Sequence, residues 1–207
     1  MRIGFIVNDI KMEEGKFTTS RLGQAAVNRG HEVWTMGVGD VAYDPDDMVR
    51  ARATSVPKPK YGSSDSYTAD LQNKKAVKRR ITVDELDVLV LRNVPSDDYL
   101  QRPWASTAAT EFARVAMRRG VIVLSDPNGL AKAGSKMYFQ LFPEEVRPRT
   151  VITRHRDEIK HFAQEEDTIV IKSLQGSGGA SVFLVRKEDI PNLNQMIDAV
   201  SRDGFVI

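Results

Sequence analysis

The stretch Ile169-Val170-Ile171-Lys172 runs directly into Ser173-Leu174-Gln175-Gly176-Ser177-Gly178-Gly179-Ala180-Ser181. Gly176, Gly178 and Gly179 lack Cβ, so their backbone can adopt positive φ and bring N–H groups close to phosphate oxygens. Ser177 and Ser181 add hydroxyl donors. Glycine loops are also simple hairpin turns, and the glycines alone do not separate the two readings. The flanks do more. A phosphate loop of the strand-to-helix type would carry Gly-Lys-Ser/Thr, which is missing here, and a dinucleotide fingerprint would lead into a helix. Val182-Phe183-Leu184-Val185 reads instead as a strand. A glycine loop between two strands can fold over a nucleotide as a lid and exclude water from phosphoryl transfer. Alternation along 169–172 puts Lys172 on one face with Val170. Its ammonium either reaches solvent along its stem or meets an anion such as an ATP phosphate. Lys136 lies on the preceding helix and gains meaning only in combination with Lys172.

A second candidate group lies at the ends of apolar runs. Ile3 to Val7 ends in Asn8-Asp9, and Asp87 to Leu91 ends in Arg92-Asn93. Open α/β sheets bind ligands at the carboxyl ends of their strands, so both pairs fall where a substrate would sit. Arg92 has the planar fork suited to a carboxylate, although Asp97 or Asp98 could also hold it locally. Thr18, Thr19 and Ser20 offer capping oxygens at the start of the first helix. Metal chemistry is not written into the chain. His31, His155 and His161 are far apart, there is no cysteine, and Glu188, Asp189, Asp198 and Asp203 sit in ordinary turn or helix settings.

The elements that must position these residues follow from the apolar pattern. Residues 3–7, 18–29 and 31–36 read as strand, helix and strand, a right-handed βαβ unit. From about 41 to 80 the rhythm is lost: Pro57, Pro59, Gly62 and clustered serines predict a long loop or insertion. It closes on Lys74-Lys75-Ala76-Val77-Lys78-Arg79-Arg80, either a solvated basic surface or a patch that attracts an anion. The rhythm returns with a strand at 87–91, a helix at 107–119 and a strand at 121–124, giving an open, mostly parallel sheet wrapped by helices. After Gly129 the pattern changes to a helix around Lys136, strands at 149–153 and 168–172, a helix at 157–165, the glycine loop, a strand at 182–185, a helix at 192–201 and a last strand entered at 204–207.

Composition sets the bounds. The chain has 207 residues, 30 Lys and Arg against 28 Asp and Glu, and 41% hydrophobic residues, as an ordinary soluble domain does. Zero cysteines exclude disulfides and thiolate sites and are compatible with a reducing cytoplasm. No apolar run approaches the ~18 residues of a membrane span, and no aromatic platform is interleaved with the basic run, so neither a membrane nor a nucleic acid is expected as partner.

Taken in order, Arg2 to Asp9, Gln24 to His31-Glu32, Asp87 to Arg92, Ser135-Lys136-Met137, Pro148-Arg149-Thr150 and above all Ile169 to Ser181 resemble the ATP-grasp superfamily, specifically the bacterial glutathione synthetases. The resemblance covers the whole chain apart from about 41–80. It implies an α/β protein with a Rossmann-like pre-ATP-grasp substrate domain at 1–128, followed at 129–207 by an α+β ATP-grasp lid subdomain. It also implies an ATP-dependent carboxylate–amine ligase that works through an acyl phosphate and joins glycine to γ-glutamylcysteine. By position, Lys136, Lys172, Leu174, Gly176, Ser177, Gly178, Gly179, Ala180 and Ser181 would contact ATP. Asp9, Thr18, Thr19, Ser20, Arg92 and Asn93 would lie near an amino-acid or dipeptide substrate, in a cytoplasmic homo-oligomer. The family's Mg²⁺ ligands and adenine-gripping segment fall after the point where this sequence stops, so the chain is expected to be a fragment or half of a split enzyme, inactive alone. Two departures touch the site. The family's Lys-Pro-Leu-Asp-Gly is Lys172-Ser173-Leu174-Gln175-Gly176 here, and its Arg-Lys-Asp-Pro-Pro is Arg92-Asn93-Val94-Pro95-Ser96. They leave room for a related ligase with other substrates, or for a nucleotide-binding module without turnover.

Overall fold

The computed structural model describes residues 1–99, 101–175, 178–179, 181–202 and 204–207. The chain divides into two compact units, Met1–Ala131 and Lys132–Ile207.

The first unit opens with β1 (Arg2–Val7), α1 (Thr18–Asn28) and β2 (Glu32–Gly37). β3 (Val41–Tyr43), β4 (Val49–Ser55), α2 (Ser64–Gln72) and β5 (Val77–Thr82) follow. The unit ends with β6 (Val88–Leu91), α3 (Pro95–Asp98), α4 (Ala105–Arg118), β7 (Ile122–Leu124) and the start of α5 (Pro127–Ala133). The seven strands form one sheet in the order β3-β4-β2-β1-β6-β7, with β5 on the other side of β4. β2, β1, β6 and β7 are mutually parallel neighbours. β4 joins β2, β3 and β5 in antiparallel fashion.

Successive residues of β1 supply two cores because strand side chains alternate between faces. Phe5 packs with Val27, Val33, Tyr67 and Leu71 under α1 and α2. Ile6 packs with Met36, Leu89, Leu91 and the alanine stripe Ala105, Ala109, Ala113 and Ala116 of α4. Gly30 and Gly120 take φ of +79° and +95° just after α1 and α4, the left-handed turn that ends a helix.

The segment expected as a long loop at 41–80 is corrected here: it holds three strands and a helix. Its strands bury little apolar bulk. Val49, Ala51 and Ala53 face the core while Arg50 and Arg52 face out, and β5 buries only Ile81. Alanine and arginine in alternation give a period-two pattern with low hydrophobic contrast, which Pro57, Pro59 and Gly62 mask further.

In the second unit β8 (Thr168–Ile171) pairs antiparallel with β9 (Phe183–Arg186). α6 (Arg156–Glu165) and α7 (Leu193–Ser201) close one face over Ile159, Ala163, Ile169, Ile171, Val185, Ile197 and Val200. Residues 149–153 do not form the expected strand. Only Thr153 bridges, to Val206, which also bridges Ser173. Among the described residues no helix is long and apolar enough to cross a membrane.

Candidate functional site

Lys172 leaves β8 on the side opposite the core. Ile169 and Ile171 are buried beneath α6 and α7, whereas Val170, on the same face as Lys172, is 49% exposed. The backbone there is fixed by the chain end: the Lys172 N–H donates to the Ile207 carbonyl at 3.0 Å, the Ile207 N–H donates back at 2.9 Å, and the Leu174 N–H donates to the Phe205 carbonyl at 2.9 Å.

Lys136 arrives from the short 3-10 helix Lys136–Leu141. Its N–H donates to the Leu174 carbonyl at 3.0 Å, and its Nζ donates to the Ser173 carbonyl at 2.9 Å. Both bonds dock the lysine against the strand exit that leads into the glycine loop. Burial, and then the charge of Lys172, hold the Lys136 ammonium below its ordinary range. An ammonium close enough to Lys136 to perturb it sets two like charges side by side, an arrangement chemically suited to an anion. Beside them Tyr138, Phe139 and Phe142 line a cavity of about 310 Å³ with Lys136, Ser135 and Leu174. Tyr138 and Phe142 meet edge to face at 5.6 Å.

Of the loop itself, Gly178 and Gly179 take φ of +70° and +79°, and Ser181 takes +56°. These three have left-handed backbone, a conformation in which N–H groups can face an anion. Gly176, Ser177 and Ala180 lie outside the described residues. Ser173 is buried and its Oγ donates to the Gln175 carbonyl, which pins the loop's entry.

In the first unit the candidate residues separate. Thr19 and Arg92 meet: Arg92 Nε donates to Thr19 Oγ1 at 3.2 Å. Sequence reasoning missed Glu13, whose carboxyl is pushed up by burial and pulled back by the Arg92 charge. Glu13 Oε2 and Ser20 Oγ are both buried with no hydrogen-bond partner among the described residues. The expected capping by Thr18, Thr19 or Ser20 is corrected: the N-cap is Phe17, which makes no side-chain cap, and Thr18 is exposed. Asn93 follows β6, half-buried.

Asp9 lies elsewhere. It caps the turn Ile10–Met12 by accepting from the Lys11 N–H at 2.8 Å, and it lines a cavity of about 640 Å³ to which Thr19 and Arg92 do not contribute. Beside it Asn8 Nδ2 donates to Asp98 Oδ2 at 2.8 Å, and Arg102 Nε and Nη2 reach Asp98 Oδ1 at 2.9 and 2.6 Å. Asp98 is thus held by Arg102 and not by Arg92. The i,i+4 spacing of Asp98 and Arg102 is the signal that was available for this pair. Among the described residues no three His, Asp or Glu side chains gather as a metal site.

Comparison with known proteins agrees along the whole chain. The model of the prokaryotic glutathione synthetase N-terminal domain matches residues 1–131, and that of the prokaryotic glutathione synthetase ATP-grasp domain matches 135–206. The chain is 32% identical over 209 residues to the glutathione synthetase of Gloeobacter violaceus, covering 99% of this chain and 60% of that protein. It is 29% identical over 203 residues to the Yersinia pestis glutathione synthetase, covering 97% and 59%. The chain therefore spans about 60% of the length of these relatives. Its α/β fold is shared with a RimK domain ATP-grasp protein from Sphaerobacter thermophilus (TM-score 0.55, 14% identity, 100% of this chain and 62% of that one). It is shared too with D-alanyl-alanine synthetase A from Vibrio cholerae (TM-score 0.54, 14% identity, 100% and 58%).

Proposed function

Because the chain belongs to the prokaryotic glutathione synthetase family, we propose that it supplies the nucleotide-phosphate and acyl-substrate contacts of an ATP-dependent carboxylate–amine ligase. The observation that carries this reading is the pair of lysines at the mouth of the glycine loop, with Lys136 held below its ordinary pKa by burial and by Lys172. In such a ligase the γ-phosphoryl group moves from ATP to a substrate carboxylate oxygen and ADP leaves. An amine nitrogen then attacks the acyl carbon, the phosphate departs, and an amide bond remains. Lys136 and Lys172 neutralise phosphate charge during the first transfer. Gly178, Gly179 and Ser181 present backbone N–H groups over the same phosphates. The open β8–β9 face bearing Val170 and Leu184 offers an apolar floor for the base.

Arg92, tied to Thr19, holds the substrate carboxylate by a charge-assisted bond. The substrate class is an amino acid or dipeptide, with γ-glutamylcysteine and glycine as the first candidates, and the setting is a cytoplasmic homo-oligomer. Mg²⁺ accompanies ATP; the described residues are assigned phosphate contacts and not metal ligation.

Calorimetric titration with ATP or ADP tests the reading. Lys172→Ala is expected to weaken nucleotide binding by about 1.5–3 kcal/mol, the loss of one charge-assisted contact. Unchanged affinity in a variant that retains its circular dichroism would refute it. A screen of amino acids and γ-glutamyl dipeptides for ADP release then identifies the substrate.

A further inference from the structure

The ligase reading leaves the larger cavity's charge unused. Lys11, Arg52, Lys78, Arg79, Arg80 and Arg102 all line that space of about 640 Å³, and among the described lining residues only Asp9 and Asp40 oppose them. Those two carboxylates are already engaged by backbone: Asp9 accepts from the Lys11 N–H at 2.8 Å, and Asp40 from the Gly37 N–H at 2.9 Å. Arg80 is paired with Asp44 and Arg102 with Asp98, each at 2.6 Å. Lys11, Arg52, Lys78 and Arg79 have no ion pair among the described residues. In a chain whose net charge is only +2, this is a local concentration and not a generally basic surface.

The strand register makes the concentration sharper. Arg52 stands directly opposite Arg80, and Thr54 opposite Lys78. Side chains two apart on a strand share a face, so Arg52, Lys78 and Arg80 project together. Like charges directly opposite destabilise a strand pair, and a seated anion turns that repulsion into charge-assisted bonds. The lining holds arginine forks, which match phosphate in bidentate fashion, and among its described residues there is no aromatic ring on which a base could stack. Its volume is that of a small-molecule site.

We propose that this cavity binds a compact anion bearing several phosphate groups, at a site separate from the glycine loop. The proposal does not depend on the ligase reading. Calorimetry of the full chain with inorganic tripolyphosphate, without Mg²⁺, tests it. Saturable tripolyphosphate binding is expected to persist in Lys172→Ala, where the glycine-loop phosphate contact is weakened and the cavity lining is intact. Arg52→Ala/Lys78→Ala is expected to lose about tenfold or more in affinity, with weaker binding as salt is raised. Lys11→Ala, outside the β4–β5 pair, should weaken binding as well, which separates the effect from damage to those strands. ATP binding that survives in Lys172→Ala and vanishes when Arg52→Ala/Lys78→Ala is added identifies nucleotide phosphates as the source. Tripolyphosphate binding without such ATP binding identifies a free oligophosphate. The proposal is overturned by any of four results: no saturable tripolyphosphate binding, binding indifferent to all three cavity substitutions, binding abolished by Lys172→Ala alone, or tighter binding of a single-stranded oligonucleotide at the same salt.

Discussion

Lys136 carries a charge that its place in the fold disfavours. The Lys136 ammonium sits below its ordinary pKa because burial removes its hydration and Lys172 repels it. The sign of the resulting pH dependence follows from linkage. The folded chain holds the Lys136 proton less tightly than the unfolded chain does. The repulsion is therefore fully present below the lowered folded pKa and is relieved as pH rises through that value toward 10.5, the ordinary lysine value. Lys172→Met removes the repulsion at every pH. Wild type is thus expected to gain stability relative to Lys172→Met as the solution is made alkaline, read as the difference between urea midpoints. A difference that stays constant from neutral to alkaline pH would show that the two charges do not couple. The placement of Lys172 was legible in the sequence because Ile169 and Ile171 declare the buried face of β8. The partner of Arg92 was not. Asp97 and Asp98 are near it in sequence, but α3 turns Asp98 toward Asn8 and Arg102, and Arg92 is left to Thr19 and the charge of Glu13.

At the scale of elements, α1 and α2 lie close because Gly23 presents no side chain. A Cβ built at Gly23 would stand 2.4 Å from Tyr67 Oη, and Tyr67 is only 2% exposed. Tyr67 also meets Tyr61 edge to face at 5.6 Å, so its ring has little room to retreat. Gly23→Ala would gain up to about 1 kcal/mol of helix propensity. The forced overlap in a packed core outweighs this, and a net destabilisation of about 1–3 kcal/mol is expected from chemical denaturation. A variant as stable as wild type would mean that α2 shifts freely over α1. The same two helices show what the pattern could reveal. α1 was legible from its apolar spacing and from Gly30, whereas α2 has weak amphipathic contrast and falls in the stretch read as a loop. β4 and β5 were hidden for a different reason: β4 alternates small inward residues with arginines, and β5 is largely cationic and buries only Ile81, so the pattern carries charge more than hydrophobicity. That charge pattern lines the larger cavity, and it is the pairing of β5 with β4 that brings the end of the lysine-arginine run at 74–80 beside Arg52.

For the whole molecule, separate cores predict separate unfolding. Two buried clusters lie within Met1–Ala131, one on each face of its sheet, and a third lies within Lys132–Ile207. Both tryptophans, Trp34 and Trp104, fall in the first unit, and only Trp34 is buried. Trp34 fluorescence therefore reports unfolding of the first unit, while far-ultraviolet circular dichroism reports both. A ligand that binds only a folded unit stabilises that unit, by about 2.7 kcal/mol at a hundred times its Kd. The proposed nucleotide contacts, Lys136, Lys172 and the glycine loop, all belong to the second unit. In the Arg52→Ala/Lys78→Ala chain, where the first unit's phosphate cavity is disarmed, ATP is expected to shift the circular-dichroism transition of the second unit and leave the Trp34 transition in place. Tripolyphosphate added to the wild type should instead move the Trp34 transition. If ATP moved both probes together in the disarmed chain, the two units would unfold as one body, and the separate cores would not be separate foldons.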